Sequence, residues 1–319
     1  MKDKIIKRQV NQSAEYKSRF EQILGKDIQN IDIQFFKAYV FLPDFVLHYG
    51  TYVSKKNFIR HTATANGIED SISFHFYNIF EDNTKIDRER TGKPVRGYPY
   101  VRVFPVRLSQ EIPFKKNMQV THLSIGISAD YLRSFLKEDA RHFQFLLDSS
   151  NIFLIEEIMS DNILRTVNAI VKKEQPSALK SYHYKLKAME LLFYLFQSLS
   201  KREEPVNRIL SESDIQSIYN VRDKVLSSLD KPISITTLKQ IAGMNELKMR
   251  KIFTQIFGMG IYDYFQCFRM KEAARLLREE RLSVSETGYQ MGFENLSHFS
   301  RVFEKHIGKK PKKYSSEFL

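Results

Sequence analysis

Apolar positions along this chain keep different rhythms, and the changes of rhythm divide it. Between residues 31 and 128 they come in short runs, at 35–42, 46–52, 71–80, 101–106 and 120–127, rich in Phe, Tyr, Val and Ile. Pro43, Asn66-Gly67, Glu81-Asp82-Asn83, Thr91-Gly92-Lys93-Pro94 and Lys116-Asn117 punctuate them. Aromatic and β-branched runs separated by turn formers are the pattern of short strands, so a small β-barrel or sandwich is predicted. Ahead of it, residues 1–30 are polar and charged, with a short helix expected over 14–24.

From about 129 to 200 the period becomes helical. Residues 181–200 carry it best. There Leu186, Met189, Leu192, Phe193, Phe196 and Leu199 recur at i, i+3, i+4 spacings, and Leu191, Tyr194 and Leu195 widen the stripe. So broad a face suits packing on the β domain, a homodimer interface, or both. Residues 201–213 are charged and polar, with Pro205 to stop a helix, and form the expected linker.

Helical periodicity resumes over 214–319, and here one pattern occurs twice. Residues 250–258 read RKIFTQIFG and residues 300–308 read SRVFEKHIG. Each copy follows a short helical pattern and a Gly-containing turn, Gly243 in one case and Gly292 in the other, with Asn245 and Asn295 placed as N-caps. Helix, tight turn, helix is the order of a helix-turn-helix unit. In the first copy Met249, Ile252, Phe253 and Ile256 share a core face. Leu247, Lys251 and Thr254 then point outward, flanked by Lys248 and Arg250. In the second, Phe299, Val302 and Phe303 face inward, Ser297 and Arg301 outward, with His298 on the flank. The segment 262–280 between them is expected as one long helix of about 28 Å, close to the roughly 34 Å that separates successive major grooves. Lys309, Lys310, Lys312 and Lys313 make a basic tail.

Charge strengthens this picture. The chain of 319 residues carries a formal net charge of +13, and over 231–319 sixteen Lys/Arg stand against nine Asp/Glu. More than half of the surplus thus sits in little more than a quarter of the chain, which points to a polyanionic partner. The single cysteine, Cys267, leaves no disulfide or Cys-based zinc site. None of the eight histidines stands in a metal-ligand spacing, so neither a metal nor a cofactor is expected. No signal peptide, membrane-length apolar run, Walker loop, GxSxG or Cys/His nucleophile pair is present. The expectation is a cytoplasmic protein that is not an enzyme and does not meet the membrane.

A β-barrel can hold a small molecule at its mouth or interior. Phe74, Phe76, Tyr98, Tyr100 and Arg102 lie on strand-like alternations and are the candidates to line such an effector pocket. The alternative for each aromatic is ordinary core filling, which is the commoner use of these residues.

The run from Arg269-Met270-Lys271-Glu272-Ala273-Ala274 through Gly292-Phe293, Phe299-Ser300-Arg301-Val302-Phe303, Gly308, Pro311 and Tyr314 resembles the AraC/XylS family of transcription regulators, over about the last 100 residues. The wording Gly243-Met244-Asn245-Glu246-Leu247-Lys248-Met249 and that of residues 182–192 are similar to the pyochelin-regulator branch of that family. The resemblance implies an α+β chain. A small N-terminal β-barrel or cupin-like domain with a helical appendage (1–200; β-rich 31–128, helical 129–200) would sense an effector or dimerise. An all-α domain (214–319) would carry two helix-turn-helix units joined by a long helix. In the branch's namesake the effector is a ferric siderophore. The base-reading positions it implies are Leu247, Arg250 and Lys251 in one recognition helix and Ser297, His298 and Arg301 in the other. Lys248, Lys309 and Lys310 are added as backbone contacts. Two positions depart from the family's habit. Lys251 stands where Arg is usual and weakens any bidentate guanine contact. Leu247 offers only apolar contact.

The implied partners are promoter DNA, a small-molecule effector, a second copy through 181–200 and, for an activator, RNA polymerase. Two other readings compete. One is a DNA-binding adaptor whose β domain only dimerises, and the other is an enzyme domain fused to the helix-turn-helix domain.

Overall fold

Alternating side chains on paired strands build the N-terminal sheet. The structure is a computed structural model that describes residues 25–42, 44–61, 70–79, 98–108, 111–148, 150–171, 178–202 and 210–318. The helix expected over 14–24, the turns at Pro43, Asn66-Gly67, 81–83 and 91–94, and most of the linker lie outside them. The chain divides into two units, Met1–Ile209 and Leu210–Leu319.

In the first unit eight strands are described: β1 Ile31–Leu42, β2 Phe45–Ser54, β3 Phe58–His61, β4 Ser71–Tyr77, β5 Tyr100–Pro105, β6 Glu111–Phe114, β7 Gln119–Ser128 and β8 Ile155–Ile158. Six form one antiparallel sheet in the order β1-β2-β7-β4-β5-β8, while β3 and β6 pair separately. The expected barrel is therefore corrected to an open sheet. It ends at β1 and β8, which do not pair with each other. β8 also lies inside the stretch expected to be all helical. Its four residues, IEEI, are too few to set a period against the helical segments on either side.

Register sorts the sheet into two faces, because neighbouring residues on a strand point to opposite sides. Tyr39, Leu47, Ile125, Phe74, Val103 and Ile155 stand in one row across all six strands. Five of them, Leu47 to Ile155, join the main buried cluster, and Tyr39 packs against it. Helices cover that face: α1 Ala129–Leu136, α2 Gln144–Leu147, α3 Asp161–Val171 and α4 Lys180–Leu199. From α4 the residues Tyr184, Ala188, Leu191, Leu192, Leu195, Phe196 and Leu199 go into the core. The stripe expected there is only partly the packed one. Leu186 and Phe193 turn away from the core and are 50% and 58% exposed. A helix apolar on nearly every side leaves its packed face undecided until the sheet is present.

The second unit is helical: α5 Glu212–Leu226, α6 Ile235–Ala242, α7 Glu246–Phe257, α8 Ile261–Glu279, α9 Val284–Gln290, α10 Leu296–Ile307 and α11 Pro311–Ser316. Side-chain caps explain the starts. Ser211, Ser234, Asn245, Ser283 and Asn295 each accept a hydrogen bond from a first-turn backbone N–H. Glu286 completes a capping box at α9. α8 serves two cores. Tyr264, in its first turn, packs its ring 5.3 Å from Phe253 and 4.9 Å from Phe257 of α7. Its later residues Met270, Ala273, Leu276 and Leu277 join Met291, Phe293, Phe299 and Phe303. The end of the basic tail is a helix rather than an extended segment: Pro311 is buried at its first position, and Tyr314 sets its ring 5.6 Å from Phe303.

Candidate nucleic-acid interface and effector face

Two helix pairs of the second unit, α6–α7 and α9–α10, present one exposed face each. On α7, Met249, Ile252, Phe253 and Ile256 are buried and Leu247, Arg250 and Lys251 are exposed, with Lys248 half-buried. On α10, Phe299 and Phe303 are buried while Ser297, His298 and Arg301 are exposed. Asn245 Oδ1 holds the Lys248 N–H at 2.8 Å, and Asn295 Oδ1 holds the His298 N–H at 3.0 Å. Each helix therefore starts at a fixed residue with its first turn outward. A helix N-terminus that carries exposed polar and basic side chains can enter a major groove and meet base edges there.

The cations on these helices are not equally available. Lys248 Nζ is paired with Asp214 of α5 at 2.7 Å, and Arg250 Nε with Glu246 at 2.8 Å. Lys309 Nζ lies 2.7 Å from Glu317. Arg301, Lys251 and Lys310 are exposed and hold no side-chain hydrogen bond or ion pair among the described residues. The Glu246–Arg250 pair is legible as an i, i+4 spacing. Asp214 belongs to another helix, and no local signal connects it to Lys248.

In the first unit, the proposed effector residues divide between the two faces of the sheet. Phe74 and Phe76 are buried on the helix-covered face, opposite Val103 and Val101 of β5. Tyr100 and Arg102 point the other way. That second face carries its own row: Ala38, His48, Ser124, His75, Arg102 and Glu156, one from each strand. His48, Ser124, His75 and Glu156 are all buried. Arg102 Nη2 is 3.2 Å from Glu156 Oε2, and its guanidinium lies 5.1 Å and 5.5 Å from the ring centres of Tyr77 and Tyr100. His75 meets His122 edge to face at 5.1 Å, and His122 Nε2 is 2.9 Å from Ser124 Oγ. Tyr98, half-buried ahead of β5, accepts the Asn78 amide at its carbonyl at 3.1 Å. Five of the ionisable or aromatic groups here, His48, His75, His122, Tyr77 and Glu156, were outside the expected set. Their common face depends on strand register, which single-strand alternation does not contain. Among the described residues no three His, Cys, Asp or Glu converge as a metal site, and no helix is long and apolar enough to cross a membrane.

Residues 238–317 match a family model described as a helix-turn-helix domain. The regulatory protein PchR of Pseudomonas aeruginosa is 34% identical over 99 residues, which cover 31% of this chain and 33% of that protein. The Msm operon regulatory protein of Streptococcus mutans is 24% identical over 202 residues, 63% of this chain and 69% of the relative. Among solved structures, ToxT from Vibrio cholerae aligns with 91% of this chain and 99% of its own at 13% identity, with a TM-score of 0.32. The chain thus spans only about a third of the length of PchR.

Proposed function

We propose, from the premise that residues 238–317 form an AraC-type helix-turn-helix domain, that this chain is a sequence-specific DNA-binding transcription regulator. The observation that carries the proposal is the pair of capped helices, α7 and α10, each with its hydrophobic side in a core and its polar side exposed. In this reading the two are recognition helices in two helix-turn-helix units, and α8 spaces them for successive major grooves. Leu247, Arg250, Lys251, Ser297, His298 and Arg301 meet bases, and Lys248, Lys309 and Lys310 meet phosphates. The relatives are regulatory proteins by name, and no catalytic step enters the reading. The test is a gel-shift titration with a duplex that the chain selects from a random pool. Arg301→Ala is expected to cost about 1–3 kcal/mol of specific binding if its fork meets a guanine. Unchanged affinity would remove Arg301 from the interface.

The first unit is assigned to effector sensing and dimerisation. Arg102 belongs to the buried polar row, Tyr100 stacks beside it, Tyr98 precedes them on the chain, and Phe74 and Phe76 shape the same strands from the core side. A thermal-shift screen of the full chain against siderophores, sugars and fatty acids tests the sensing role. A stabilising ligand whose effect is lost in Arg102→Ala supports it. No shift with any of them would leave a regulator whose first unit only dimerises. The dimer seam is the line Tyr182, Leu186, Met189 and Phe193 on α4, exposed except at the half-buried Met189, at the alternating four- and three-residue spacing that two packed helices use. Phe193→Glu is expected to yield monomer in sedimentation, and an unchanged dimer would exclude this seam. RNA polymerase is a further partner if the chain activates.

A further inference from the structure

The second helix pair is tied to the rest of its unit at a point that no proposed DNA contact touches. Arg269, midway along α8, is buried. Its Nε donates to the Met291 carbonyl at 2.8 Å, where Nη2 also donates, and Nη2 reaches the Asp230 carbonyl at 3.1 Å. The guanidinium carbon lies 3.8 Å from the ring centre of Phe293 and 5.4 Å from that of Phe265. Met291 and Phe293 flank Gly292 in the turn between α9 and α10. Asp230 lies between α5 and α6, in the other half of the unit. One planar fork thus joins three separate stretches of chain.

The backbones are pressed together at the same place. Gly292 has φ +72, and a Cβ built on it would stand 2.1 Å from the Asp230 carbonyl oxygen. Two carbonyls and two ring faces hold the Arg269 charge, and among the described residues no carboxylate forms an ion pair with it. Burying a guanidinium in this way costs desolvation, and a lysine ammonium would match neither the two carbonyls nor the stacked rings. The first helix pair has nothing comparable at its turn, where a Cβ on Gly243 meets nothing within 4 Å.

We infer that Arg269 is a positioning residue. It locks the Met291-Gly292-Phe293 turn against Asp230 and so fixes the angle and separation at which α10 is presented relative to α7. The consequence for DNA rests on the reading that both helices enter major grooves. The lock itself does not.

The test uses the full chain with Cys267→Ser and spin labels at two exposed sites outside the proposed contacts, Gln240 on α6 and Glu304 on α10. Distance distributions are recorded without DNA, at a temperature where helix content matches that of the parent. The parent is expected to give one narrow distribution. Arg269→Lys and, independently, Gly292→Ala are expected to broaden or shift it by several ångströms, and the double variant to add little. On the selected duplex, Arg269→Lys should lose about tenfold in affinity. On a shortened duplex that keeps only one half of the site, it should lose less than twofold. Unchanged distributions in both single variants, or equal losses on long and short duplexes, would overturn the inference. If the parent selects no duplex at all, the DNA reading fails and the distances still decide the lock.

Discussion

At the turn of the first helix pair a methyl group on Gly243 would meet nothing within 4 Å, whereas at the turn of the second a methyl on Gly292 would run into the Asp230 carbonyl. Both glycines hold a left-handed conformation, φ 62 and 72, and both are followed by an Asn that caps the next helix. The local plan is the same, so the contrast lies in what surrounds it. The first pair is held at the exposed helix α7, through Lys248 to Asp214 of α5, while Arg250 pairs with Glu246 of its own helix. The second is held at its turn, through Arg269, and on its exposed helix α10 Arg301 has no side-chain hydrogen bond or ion pair among the described residues. A pair clamped away from its exposed face can offer that face to a partner without first breaking contacts on it.

The largest expected effect separates the two turns. Gly243→Ala has only the left-handed backbone to oppose it, about 1 kcal/mol. Gly292→Ala adds a collision with backbone that cannot move aside as a side chain end would, for a total of about 3 kcal/mol. Urea unfolding monitored on the helical signal measures both. Equal losses would mean that the contact with Asp230 is not a constraint.

The next effect concerns binding. Arg301→Ala should lose about 1–3 kcal/mol on the selected duplex and relax preference at one base position. Arg250→Ala should lose less and relax preference less at its own base position, because its guanidinium must first leave Glu246. Titrations against a set of single-base variants of the duplex distinguish the two patterns. Matching patterns would remove the distinction drawn between the two reading helices.

The faces of the long elements are legible in the sequence, and the reason is length. Strands of ten or so residues, such as Phe45–Ser54 and Gln119–Ser128, and helices of twelve or more, such as Glu246–Phe257 and Leu296–Ile307, repeat their period often enough to show their faces. Exposure of Leu247, Arg250, Lys251, Ser297 and Arg301 follows from that period alone. What stayed hidden depends on partners far along the chain. The open edges of the sheet, the strand Ile155–Ile158 and the common face of His48, His75, Arg102 and Glu156 follow from strand order and register. The packed side of Lys180–Leu199 is settled by the sheet that covers it. The Lys248–Asp214 pair and the Arg269 lock join residues whose closeness no local spacing announces.

Salt dependence gives a smaller test of the same difference. A cation that leaves water for a phosphate and has no carboxylate partner releases a full counterion, so Lys310→Ala should lower the slope of log affinity against log salt by about 1. Lys309 is already part-neutralised by Glu317. Its replacement should change the slope by less. Equal changes at Lys309 and Lys310 would show that the Glu317 pair opens freely in solution.

The smallest effect is the most direct probe of the first reading helix. Glu246 and Arg250 are spaced for an i, i+4 pair on an exposed surface, their side chains 42% and 49% accessible, so solvent screens the attraction and the pair holds Arg250 by only a few tenths of a kcal/mol. Glu246→Gln removes the opposing charge and leaves the side chain's size. The free guanidinium, together with the loss of a carboxylate facing phosphates, should raise affinity by a few tenths of a kcal/mol, most clearly at low salt. The same substitution also removes a negative charge from the first turn of α7, so that unit should become slightly less stable as it binds slightly better. Opposite signs in binding and stability would mark Glu246 as a brake on the first reading helix. If affinity falls instead, Glu246 is orienting Arg250 for its base contact, and the two reading helices are more alike than their ion pairs suggest.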